Sequence, residues 1–207
     1  MKTNPSLNRS LTTLLCAATA SLVILSQPAQ AGYIVTLEQV GANVVANGSG
    51  PINLTGLTFQ GSVSTNGVGV LPLFGIIFTG PTGSVNVSQY AGFTGPTSFG
   101  SGFPLKANTG SGDFVGMRGG LGNLFVPQGY VSGAALSDSM TYTGQTFSTL
   151  GVTPGTYVWT WGTGANQNFT LQIPTAVVPD SGSTIGLLFL SLIGLFGLNR
   201  LRHVQLA

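Results

Sequence analysis

Charge is what this 207-residue chain has least of: six Lys and Arg and four Asp and Glu in all. Half of these sit near the ends, as Lys2, Arg9, Asp180, Arg200 and Arg202, which leaves Glu38, Lys106, Asp113, Arg118 and Asp138 for everything between Gly32 and Val178. A nucleic-acid interface needs clustered Lys and Arg to displace the counterions of the phosphates, so two separated cations exclude that class. Cysteine is nearly absent too. The single Cys16 lies within an N-terminal apolar run, so a chain that loses this run has no thiol, no disulfide and no cysteine-bound metal. The single histidine, His203, is five residues from the end. Catalysis needs a poised acid, base, nucleophile or metal, and a middle region with no Cys, no His and three carboxylates is expected to be noncatalytic, without metal or cofactor.

What the chain does have is 32 glycines set among β-branched and aromatic residues. Low charge with abundant Gly, Ser, Thr and Asn could signal disorder, but disorder also requires few aromatic and β-branched side chains. An ordered, turn-rich all-β fold is expected instead.

Both ends read as targeting segments. Residues 1–31 carry Lys2 and Arg9, then a mostly apolar run from Leu11 to Leu25, then Ala29-Gln30-Ala31 before Gly32. This is the three-zone pattern of a secretory signal peptide, with cleavage expected after Ala31. The run is short for a bilayer, which needs about 20 apolar residues. At the other end no charge falls between Asp180 and Arg200, a span of 19 residues that includes Leu187, Leu188, Phe189, Leu190 and Leu192. At about 1.5 Å per helical residue this matches the hydrocarbon layer of about 30 Å. One transmembrane helix is therefore expected over about 183–199, with the basic stub 200–207 held in the cytoplasm by Arg200 and Arg202.

Val178-Pro179-Asp180-Ser181-Gly182 joins the middle region to that segment. Pro179 fixes its own φ and pushes Val178 into an extended form, while Ser181-Gly182 disfavours helix. An extended strand at the membrane surface is the form a peptidase cleft binds. This motif, followed by an apolar helix and an Arg-containing stub over residues 177–207, resembles the PEP-CTERM class of protein-sorting tails in its Val-Pro-Asp-Ser-Gly variant. The resemblance implies a bacterial protein exported by the general secretory route and parked in the inner membrane by its tail. It implies cutting at the motif by an exosortase, a membrane cysteine peptidase, with release to the cell surface or extracellular matrix, often beside exopolysaccharide.

Residues 32–176 read as an extracytoplasmic antiparallel β-sandwich or jelly roll, with a barrel as the alternative. Tyr33 to Val40, a Gly41-Ala42-Asn43 turn and Val44 to Asn47 suggest a hairpin, and strand-like runs follow at Ile52 to Phe59, Val70 to Phe78, Ser84 to Gln89, Phe125 to Val126 and Met140 to Phe147. Gly80 to Gly122 reads as long loops or short edge strands. Near the end of this region Pro154-Gly155 suits a type II turn, and two strands flank Gly162 to Gln167. By the two-residue period Tyr157, Trp159 and Trp161 share a face, as do Phe169, Leu171 and Ile173.

Two candidate sites follow. Tyr157, Trp159 and Trp161 beside Asn166 and Gln167 could stack and hydrogen-bond sugar rings, as a carbohydrate-binding module would, although a hydrophobic core is the favoured expectation for this row. Asp113 and Asp138 could form a carboxylate pair, against the default of solvated turn residues. Gly116 to Gly122 lacks the spacing of a phosphate cradle. The Asn-x-Ser/Thr matches at Asn47, Asn53, Asn86 and Asn168 read as surface polar residues.

Overall fold

A computed structural model describes residues 32–175. The expected signal peptide and membrane helix lie outside them, and among the described residues no helix is long and apolar enough to cross a membrane.

Strands β1 (Tyr33–Val40) and β2 (Asn43–Pro51) form the expected opening hairpin, turning at Gly41 with φ +60°. Tyr33, Val35 and Leu37 bury every second side chain of β1, and Val44 and Ala46 answer from β2. The strand expected from Ile52 starts late, as β3 (Thr58–Asn66). The backbone before it is already engaged by tertiary partners: Ile52 N–H donates to the Tyr130 hydroxyl and Asn53 N–H to the Asn166 carbonyl. The run from Val70 to Phe78 is split, because Pro72, which has no N–H, opens a 3₁₀ turn closed by Gly75 at φ +60°. What remains is β4 (Gly69–Leu71) and β5 (Ile76–Thr79).

After β6 (Ser84–Ala91), the irregular stretch yields the short strands β7 (Leu105–Lys106), β8 (Thr109–Gly112) and β9 (Val115–Arg118). β7 and β8 are edges, as expected of that stretch, but β9 lies inside a sheet. Next come β10 (Asn123–Pro127) and β11 (Ala135–Tyr142). β11 lies five residues earlier than the run expected from Met140, because Phe147 instead opens the single-turn helix α1 (Phe147–Leu150). Thr146 caps that helix by accepting the Thr149 N–H. Strands β12 (Gly155–Thr160) and β13 (Asn168–Ile173) pair antiparallel as expected, although Gly155 opens β12 opposite Ile173 and does not sit inside a turn.

The strands form two open sheets, ordered β12-β13-β1-β2-β11-β8 and β3-β6-β10-β9-β5-β4-β7. Neither closes on itself, so the arrangement is a sandwich and no barrel forms. The two sheets bury one continuous core, with Leu37, Val44, Met140 and Phe169 from the first and Ile77, Val87, Met117 and Leu124 from the second. The expected antiparallel architecture is corrected at one place. β1 and β13, near the two ends of the described chain, pair in parallel, with Tyr33 beside Phe169 and Val35 beside Leu171.

Candidate functional site

The aromatic row belongs to the core. Trp159 on β12 is completely buried, its ring set edge-on to Phe169 at 5.6 Å and its indole N–H donating to the Pro96 carbonyl at 2.7 Å. Trp161 is 7% exposed and donates to the Asn53 carbonyl at 2.6 Å. Gln167 is also buried; its amide donates to the Thr55 carbonyl and accepts the Gly164 N–H. Asn166 takes the left-handed conformation, φ +60°, where its carbonyl accepts the Asn53 N–H at 2.8 Å. Tyr157 and Asn166 are half-buried, and the Tyr157 hydroxyl donates to the Thr153 carbonyl. Trp161 and Gln167 meet, the Trp161 backbone N–H donating to the Gln167 carbonyl at 3.2 Å, but both indoles and the Gln167 amide spend their polar atoms inside the fold, which leaves the indoles no face for a sugar ring to stack on. Both indoles are expected to emit at short wavelength and to resist acrylamide quenching; long-wavelength, readily quenched emission would contradict the burial.

Asp138 and Asp113 also come together, though the spacing alone could not place them. Asp138 on β11 lies opposite Gly112, and Asp113 Oδ2 accepts the Ser137 N–H at 2.9 Å. Asp138 faces the core, 8% exposed. Its Oδ2 accepts from the Tyr33 hydroxyl of β1 and, at 2.6 Å, from Thr79 Oγ1 of β5, while Oδ1 has no hydrogen-bond partner among the described residues. The carboxyl pKa is pushed up to about 6, chiefly by burial with a smaller contribution from the charge of Asp113, against the downward pull of the Thr79 and Tyr33 hydrogen bonds. Burial likewise raises the Tyr33 phenol. Asp138 has the burial of a general base, but the groups in reach are these two hydroxyls, and the cluster ties the first sheet to the second. The sequence signal existed: Leu136, Asp138, Met140 and Tyr142 alternate along one face of β11. Starting the strand at Met140 hides it.

A groove of about 490 Å³ lies over β4, β5, β7 and β9, lined by Leu71, Ile76, Phe78 and Leu105 and flanked by Lys106 and Arg118. These two are the only Lys or Arg among the described residues. The Arg118 guanidinium lies 5.1 Å from the centre of the Phe78 ring and 4.9 Å from that of Phe125. Its Nε is buried without a partner, and burial lowers its pKa. No carboxylate lines the groove, so it suits an anion with an apolar body. In the sequence these cations are twelve residues apart in the irregular stretch; only strand pairing places both beside one groove.

Gly32, the first residue after the expected signal cut, is buried, and its N–H donates to Asn168 Oδ1 at 2.7 Å. Ala29, Ala31, the motif Val178, Pro179, Asp180, Ser181 and Gly182, and Arg200 and Arg202 lie outside the described residues. The sandwich ends with β13 at Ile173, and residues 177–202 match the family model of the VPDSG-CTERM motif. The chain carries a PEP-CTERM-like sorting tail. No curated protein and no solved structure matches the chain. The sorting tail is consistent with export to a surface or extracellular location and with an exosortase-type processing partner.

Proposed function

We propose that this chain is a noncatalytic structural protein of the bacterial cell envelope or extracellular matrix. Its signal peptide is removed after Ala31, the segment at about 183–199 holds it in the inner membrane as a single-pass intermediate, and an exosortase-type peptidase cuts within Val178–Gly182. The match of residues 177–202 to the sorting-motif model carries the proposal. The sandwich supports it in two ways. Asp138 is buried with its Oδ2 held by the Tyr33 and Thr79 hydroxyls, and Asp113 accepts the Ser137 amide, so both carboxylates serve packing and strand pairing. Gly32 stands directly before β1, so a cut after Ala31 leaves every described strand intact.

Mass spectrometry of the exported protein is expected to give a chain that starts at Gly32 and has lost everything beyond the motif. A Pro179→Ala, Asp180→Ala double variant is expected to stay full-length in the inner membrane. Full-length parent chain retained there would overturn the proposal.

A further inference from the structure

The four sheet edges are unequally protected. β7 has two residues and β8 four, too short to template a partner. β12 is bridged at its end by Thr94, which exchanges two backbone hydrogen bonds with Thr160 at 2.8 Å. β3 is different: it has nine residues, one neighbour, β6, among the described residues, and neither a charge nor a proline along Thr58-Phe59-Gln60-Gly61-Ser62-Val63-Ser64-Thr65-Asn66. Half the N–H and C=O groups of such a strand point away from its single neighbour. Most of its side chains are exposed, Val63 by 43% and Phe59 by 55%. The usual devices against edge-to-edge pairing, an edge lysine or proline, are missing. A single bulge, between Phe59 and Gly61, lies to one side of the strand's centre.

The order of residues in β3 indicates what pairs with it. About Val63 the sequence reads almost the same in both directions: Ser62 and Ser64 flank it, then Gly61 and Thr65, then the two amides Gln60 and Asn66. An antiparallel pair of identical strands with its two-fold axis at Val63 sets Val63 against itself, Ser62 against Ser64, Gly61 against Thr65 and Gln60 against Asn66. Val–Val, Ser–Ser and amide–amide neighbours are favourable cross-strand pairs, and no like charges meet. β3 already makes two pairings of this kind with β6, Val63 with Val87 and Ser62 with Ser88. We propose that two copies of this chain join through β3, antiparallel and centred on Val63, so that two seven-stranded sheets become one continuous sheet. A two-fold contact of this kind uses the same patch on both copies and closes on itself as a dimer. The proposal does not depend on the sorting reading.

The test uses the full chain in mild detergent with Cys16→Ser, so that any introduced thiol is the only one. Val63→Cys is expected to cross-link to a disulfide dimer on mild oxidation, because each cysteine faces its own copy. Thr156→Cys, exposed on β12, is expected to associate through its intact β3 but not to cross-link. Val63→Lys places two ammonium groups face to face and is expected to abolish the dimer in sedimentation, and Val63→Glu the same. Mixing the Lys and Glu chains is expected to restore it. Because Val63 is exposed on an edge, all these variants should fold, which the parent's circular dichroism checks. A Val63→Cys chain that cross-links no more than Thr156→Cys, or a Val63→Lys chain that associates like the parent, overturns the pairing. Failure of the mixed chains to associate overturns the register.

Discussion

Trp159→Ala is expected to lower the unfolding free energy by about 3–5 kcal/mol, the range for removing a large buried aromatic ring. The site favours the upper part of that range. The ring has no exposed surface, it packs edge-on against Phe169, and its N–H satisfies the Pro96 carbonyl, which would be left without that donor. The surroundings are poorly able to collapse into the space. Gly95 and Gly119 bring backbone against the tryptophan so closely that a Cβ added at Gly95 would lie 2.8 Å from the Trp159 Cα, and one at Gly119 would lie 2.6 Å from its indole nitrogen. Against a typical total of about 5–15 kcal/mol, such a loss removes from about a fifth to the whole of the stability. Urea denaturation measures it, with Val158→Ala as the control. Val158 is the neighbouring residue on β12 and is 39% exposed, so it is expected to change stability by less than about 1 kcal/mol. Equal losses at 158 and 159 would contradict the buried row.

Asp138→Ala is expected to cost about 2–4 kcal/mol, since it strips the acceptor from two buried hydroxyls, although the Thr79 hydroxyl can turn its single proton to the Val115 carbonyl 3.2 Å away. Its pH signature is more specific. The folded carboxyl titrates near 6 and an ordinary one near 3.8, so between these values the folded chain holds a proton that the unfolded chain has released. Stability attributable to this group is therefore greatest below about pH 4, falls as pH rises, and is lost above about pH 6. At about 1.4 kcal/mol per pH unit the span corresponds to about 3 kcal/mol. Asp138→Asn keeps an acceptor oxygen for Tyr33 and Thr79 and cannot titrate, so denaturation midpoints measured from pH 4 to 7 should lose this downward slope. An undiminished slope in the asparagine variant would assign it to another group.

The legible parts of this fold are those whose signal is contiguous. The β1–β2 hairpin and the β12–β13 pair each show two-residue alternation about a short polar connection, and each forms as expected. Alternation fails where the chain is governed from a distance. Ile52 has a strand-like side chain, but its backbone N–H and that of Asn53 are taken by Tyr130 and Asn166, far along the sequence. β9, Val115-Gly116-Met117-Arg118, is too short and too glycine-rich to show a period, yet it is central, because Phe78 of β5 and Phe125 of β10 both pair across Gly116. The groove between Lys106 and Arg118 was hidden for the same reason: four strands distant in sequence build it.

By itself the sequence determined what short-range chemistry can specify: low charge that excludes nucleic acid, an all-β middle region, and the Val-Pro-Asp-Ser-Gly motif with its apolar segment, now matched to a sorting-tail model. Such signals reside in consecutive residues and need no partner to be read. Only the tertiary structure decided that β1 and β13 lie side by side in parallel, that Asp138 sits between Tyr33 and Thr79, and that β3 is left as an open edge. Those outcomes depend on which strands meet, and strand partners are selected by burial and backbone hydrogen bonding summed over the whole sandwich, which no local window contains.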